Sequence, residues 1–305
     1  MKRSNSEAAR AACVKVSIRL LGGFGVQLGA RRVADSDWRL QKARALVKLL
    51  ALAPRHRLAR EEVTERLWPD VDPQAALNSL YYALHVARQA LDGSLCDTQG
   101  QSSLLQLVDG VLAFAPSTSI SVDVETFQMA ASAARHSNDS FACAAALDLY
   151  AGELLPEDRY QDWAARPREK LRAMQLQLLE ELAHIHQTRG EYVAAVGALS
   201  RLVAEEPAHE EARVSLMRLH VAAGQRQQAL REYAQLRTAL HEELDVEPEA
   251  TTQQLYAGIL AGRGTAEVKD ARLATKIASA PTRALVGSHE IANIRRTAPR
   301  IAWSR

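Results

Sequence analysis

The chain has 305 residues, of which 47% are hydrophobic and 24% charged; this is room for about two domains and a composition that excludes wholesale disorder, collagen and disulfide scaffolds. Cys13, Cys96 and Cys143 lack CxxC or Cys/His ligand spacing, no apolar run reaches about 18 residues, and the start carries no signal-peptide core, so we expect a cytoplasmic protein without membrane contact or zinc finger. The net charge of +2 is unevenly spread: residues 1–94 hold 16 basic and 9 acidic side chains, 116–262 hold 13 and 22, and 263–305 hold 9 and 3, so a basic head that meets a polyanion precedes an acidic body.

After a flexible N-terminal tail (1–13), Val14 to Leu21 alternates apolar and polar residues and Val26 to Leu28 resumes after glycines, predicting a small β-sheet. From Leu40 the apolar spacing turns helical until Pro54, and a short second helix spans Arg60 to Trp68, with Pro69 ending it. Asp72-Pro73 supplies an N-cap and a first-turn proline for a third helix closed by Gly93. Asp109-Gly110, between Leu104–Val108 and Val111–Ala115, is a two-residue hairpin turn. Strands, three helices and a terminal hairpin over 14–116 make a winged helix-turn-helix domain, with the third helix free on one face. The spacing assigns Leu77, Leu80, Tyr81, Leu84 and Leu91 to its inward stripe. Gln74, Asn78, Tyr82, His85 and Gln89 form the other stripe, with Ser79 and Arg88 at its edges, and these hydrogen-bonding groups suit base edges. Arg39, Lys42, Arg57 and Arg60, near the starts of the first two helices, are expected to meet phosphates.

Residues 117–262 read as almost entirely helical. Gly190 and Gly224 stand 34 residues apart and each opens a similar stretch, GEYVAAVGAL and GQRQQALREY, with Ala195 aligned on Ala229. That is the tetratricopeptide period, in which a small residue after the turn lets two helices approach closely. FACAAALDLYAGELLP is a looser earlier copy, and Arg166 to Arg189 is expected to cap the repeats from outside. The predicted fold class is therefore mainly α with a small β component, the winged helix preceding an all-α tetratricopeptide-like domain.

No catalytic constellation is present in the sequence. Gly22-Gly23-Phe24-Gly25 lacks the GK[ST] and helix start of a phosphate loop and reads as a tight bend between strands, and His184 and His186 point to different helix faces. We expect no enzyme, no metal and no cofactor. The alternative to a DNA-binding regulator is an interaction adaptor, whose third helix would tolerate acidic residues on its exposed stripe.

IRLLGGFGVQL, QKARALVKLLALAP, LAREEVTERLWPD, NSLYYALHVARQAL, SVDVETF and AQLRTALHEELDVEPEATTQQLY, in this order over about 14–260, resemble the SARP-type bacterial transcriptional activators. The resemblance implies an OmpR-like winged helix joined to a bacterial transcriptional activator domain, with double-stranded DNA as ligand and RNA polymerase or a second protomer as partner. It also marks departures: Val86 stands where the family commonly has a basic residue, and the wing SSLLQLVDGVLAF is uncharged but for Asp109. In the basic tail, 263–305, PTRALVGSHEIANIRR resembles the phrase that opens the ATPase module of longer regulators of this type. Without a GxxxxGK[ST] loop, neither a mobile tail nor a remnant of such a module is expected to bind ATP.

Overall fold

The computed structural model describes residues 14–92, 103–116 and 118–262; the tails expected to be mobile and the Gly93 helix stop lie outside them. The N-terminal sheet forms where β-branched and apolar residues alternate: β1 (Val14–Arg19) pairs antiparallel with β2 (Gly25–Leu28), which pairs with β3 (Arg31–Arg32). Gly22 and Gly23 make the bend between β1 and β2 at φ +70° and +122°, where a side chain would be strained. Three helices follow: α1 (Gln41–Leu52), α2 (Arg60–Leu67) and α3 (Pro73–Asp92). Leu46, Val47, Leu49 and Leu50 of α1 and Val63 and Leu67 of α2 are buried, and each helix stops just before a proline.

The wing is β5 (Leu105–Val108) and β6 (Val111–Phe114), joined by Asp109 and Gly110 at φ +51° and +75°, the left-handed pair of a two-residue hairpin. A third strand was not legible in the sequence. Residues Arg57–Ala59 form β4, which pairs with β6 and places Arg57 on a strand rather than at a helix start.

The helical region consists of three antiparallel hairpins and a last helix: α4 (Asp123–Ser137) with α5 (Ser140–Leu149), α6 (Asp162–Thr188) with α7 (Tyr192–Glu205), α8 (Glu210–Ala222) with α9 (Arg226–Leu244), and α10 (Ala250–Leu260). The 34-residue repeat has a physical counterpart. Gly190 and Gly224 both adopt positive φ, and Ala195 and Ala229 are both fully buried where the paired helices approach. The turn is fastened alike in each copy: His186 Nδ1 lies 2.6 Å from Glu191 Oε2, and His220 Nδ1 lies 2.9 Å from Gln225 Oε1. Ala146 of the looser copy in α5 is also fully buried. The stretch 166–189 is not an outer cap: residues 166–188 lie in α6, the first helix of the Gly190 hairpin, and Arg189 caps its end.

The head and the helical region share one hydrophobic core. β7 (Thr118–Val122), read in the sequence as the entry to the second domain, pairs parallel with β1 and completes the order β3-β2-β1-β7. The loop after α5 then returns to the same sheet end, where Leu155 N–H donates to Leu20 O at 2.9 Å and Gly22 N–H donates to Glu153 O at 2.9 Å. Lys48 of α1, only 2% exposed, reaches across to Glu157 Oε1 at 2.9 Å and to Asp158, with its ammonium 5.0 Å from the Phe24 ring centre. A buried ammonium persists only where such partners hold it.

Candidate nucleic-acid interface

Helix α3 starts as its sequence dictates. Asp72 Oδ1 accepts the N–H of Gln74 at 2.9 Å and of Ala75 at 3.3 Å, and Pro73 occupies the first turn. One side of the helix is buried through Ala76, Leu80, Ala83, Leu84, Ala87 and Leu91, against the core that α1 and α2 build. Val86 is buried as well, so the position where the family commonly has a basic residue here serves packing.

The opposite side presents Gln74, Asn78, Tyr82, His85 and Gln89 together, all exposed, with Tyr82 at 63%. Tyr81 corrects the sequence reading: assigned to the inward stripe, it is 49% exposed and shares the face of Asn78 and His85. Its spacing of three residues after Asn78 and four before His85 carried that signal, and its apolar ring concealed it. At the edges, Ser79 Oγ donates back to Ala75 O at 2.9 Å, and Arg88 Nε donates to Leu105 O at 2.9 Å, tying the helix to the wing. His85 Nε2 and Gln89 Nε2 lie 3.1 Å apart. Asp92, at the far end, turns its carboxylate to Leu104 N–H at 3.1 Å and to Ser103 Oγ at 2.5 Å.

The four cations expected at phosphates divide into two kinds. Arg39 and Arg57 are exposed. Lys42 Nζ instead donates to Leu67 O at 2.6 Å, satisfying the last turn of α2, and lies 5.7 Å from the Trp68 ring centre. Arg60 opens α2 with its N–H on Gly110 O at 2.8 Å, which seats the wing turn against that helix start. Its guanidinium is held charged first by a hydrogen bond to Glu61 at 2.6 Å and also by the Tyr81 side chain. Arg60, Tyr81 and the wing turn therefore adjoin the exposed face of α3.

Among the described residues no group of three or more His, Cys, Asp or Glu side chains could hold a metal ion, and no helix is long and apolar enough to cross a membrane.

Comparison with known proteins agrees with this architecture. Residues 122–260 match the bacterial transcriptional activator domain family. The regulatory protein AfsR of Streptomyces coelicolor is 30% identical over 218 residues, which is 71% of this chain and 22% of AfsR, so the chain spans about a fifth of that relative's length. The solved structure of Mycobacterium tuberculosis EmbR, in complex with a low affinity phosphopeptide, superposes with a TM-score of 0.63 at 20% identity, covering 86% of this chain and 69% of that one. At that identity the likeness is one of fold, and it includes both the winged helix and the helical region. Residues 122–260 thus form a bacterial transcriptional activator domain, and the matches together support a SARP-type transcriptional regulator.

Proposed function

We propose that the chain is a sequence-specific DNA-binding activator of transcription, which lays α3 in the major groove of double-stranded DNA and offers its helical domain to RNA polymerase or a second protomer. The observation that carries this reading is the exposed face of α3. It is a capped, well-packed helix whose free side holds amide, imidazole and phenol groups, and the only carboxylate within it, Asp92, is turned onto Ser103 and Leu104 just before the wing strand. Arg39 and Arg57 are exposed cations of the same head, while Lys42 and Arg88 serve its packing. The acidic domain repels phosphate, which leaves DNA to the head and proteins to the repeats. In this reading the protein works in the cytoplasm and carries no chemistry of its own.

Binding of the full chain to duplex DNA across a salt series tests it. Each neutralised phosphate contributes a slope of about −0.9 in log K against log salt, so several contacts give a slope of about −2 or steeper. A slope near zero, or no binding at low salt, contradicts the reading and favours the adaptor.

A further inference from the structure

We infer that α3 reads A·T base pairs at the centre of its half-site, with Asn78 on adenine and Tyr82 with Ala75 on thymine methyl groups. The inference rests on the reading that α3 enters the major groove and adds which bases it selects there.

In that groove adenine pairs an acceptor at N7 with a donor at N6, which one amide side chain matches bidentately. Guanine shows two acceptors, O6 and N7, and is met by arginine or lysine, and thymine adds a methyl group that favours apolar contact. The exposed face of α3 has the first and third kinds of group and lacks the second. Asn78 is exposed and its side chain makes no hydrogen bond within the described residues, so its amide is available to a base edge. Ala75, Tyr81 and Tyr82 stand three or four residues from it, the spacing that puts side chains on one helix face, and all three are exposed. Arg88 is the only basic residue of α3, and its Nε is committed to Leu105 O on the side facing the wing. Arg60 of α2, beside Tyr81, is engaged by Glu61 and Tyr81, and Arg31 of β3 donates to Ala90 O and Leu91 O at the far end of α3. The pattern of donors, acceptors and methyl-seeking rings is therefore complementary to adjacent adenine and thymine, with no guanidinium committed to guanine.

The test enriches duplexes from a randomised library with the full chain, then alters single atoms in the selected site. Adjacent A·T pairs are expected at its centre. Replacing adenine by 7-deazaadenine is expected to weaken the wild type roughly five- to hundredfold and to leave Asn78→Ala unchanged. Replacing thymine by deoxyuridine should weaken the wild type roughly severalfold and weaken Tyr82→Ala less, since only Ala75 then meets the methyl groups. Selection of a G·C centre, or indifference of the wild type to both replacements, overturns the inference while leaving DNA binding intact. Failure to enrich any duplex overturns the underlying reading and the inference with it.

Discussion

The carboxylate of Asp123 accepts the backbone N–H of Leu20 at 2.9 Å, joining the first residue of α4 to the end of β1 across 103 residues of chain. Its other oxygen accepts Leu21 N–H at 2.9 Å, and Val124 N–H at 2.8 Å completes the set. These donors sit where the sheet ends and α4 begins, so without Asp123 they are buried and unpaired. Asp123→Ala is expected to cost about 2–4 kcal/mol, from unsatisfied donors at about 1–3 kcal/mol each, and urea unfolding reads it. Because the core is continuous across both regions, the loss should appear in one cooperative transition. Two separated transitions, with only the helical one shifted, would show that the regions fold independently.

A second prediction concerns a close backbone approach between head and helical region. A Cβ at Gly22 would stand 3.0 Å from Ala151 O, at a φ of +70°. Gly22→Ala should cost about 1–3 kcal/mol from strain and crowding together. At Gly224, φ is +75° but the space is open, so Gly224→Ala should cost only about 1 kcal/mol. Equal losses in thermal unfolding would mean that the Gly22 contact gives way without cost.

The Lys48 cluster predicts a pH dependence. Burial alone would raise the Glu157 carboxyl, but its hydrogen bond to Lys48 and that from Phe24 N–H hold it below its ordinary value. A lowered value in the folded state gives stability that is present above the unfolded value of about 4.3 and is lost as pH falls through the folded one. Asp123 runs the other way, since burial raises its carboxyl, so the measurement is the difference between wild type and Glu157→Gln. That difference should shrink between about pH 5 and pH 3. A difference that stays constant over this window would place the role of Glu157 in shape rather than charge.

The head helices, the wing turn and the repeats were legible because their signals are local. The Asp72-Pro73 start of α3, the Asp109-Gly110 turn, the proline stops and the 34-residue return of glycine and alanine each act within a few residues, and each is present in the structure. What was hidden depends on distant partners. β4 is three residues long and exists because β6 offers it an edge, and β7 exists because β1 does. The reading of Lys42 as a phosphate contact shows the same limit, since its ammonium serves a carbonyl 25 residues away that no helical pattern reveals. Tyr81 is the reverse case, where the period was sufficient and residue type misled.

The claim that the exposed face of α3 confers sequence-specific recognition is tested most directly by the double variant Asn78→Ala/Tyr82→Ala. Its affinity is measured on the site selected by the wild type and on random duplex, alongside its thermal unfolding. Both side chains are exposed and make no hydrogen bond within the described residues, so the unfolding temperature should not move. Affinity for the selected site should fall by about 2–4 kcal/mol, towards the random value, with random binding and its salt slope unchanged. Equal losses on both DNAs, or no loss on either, would contradict the account and take specificity away from α3.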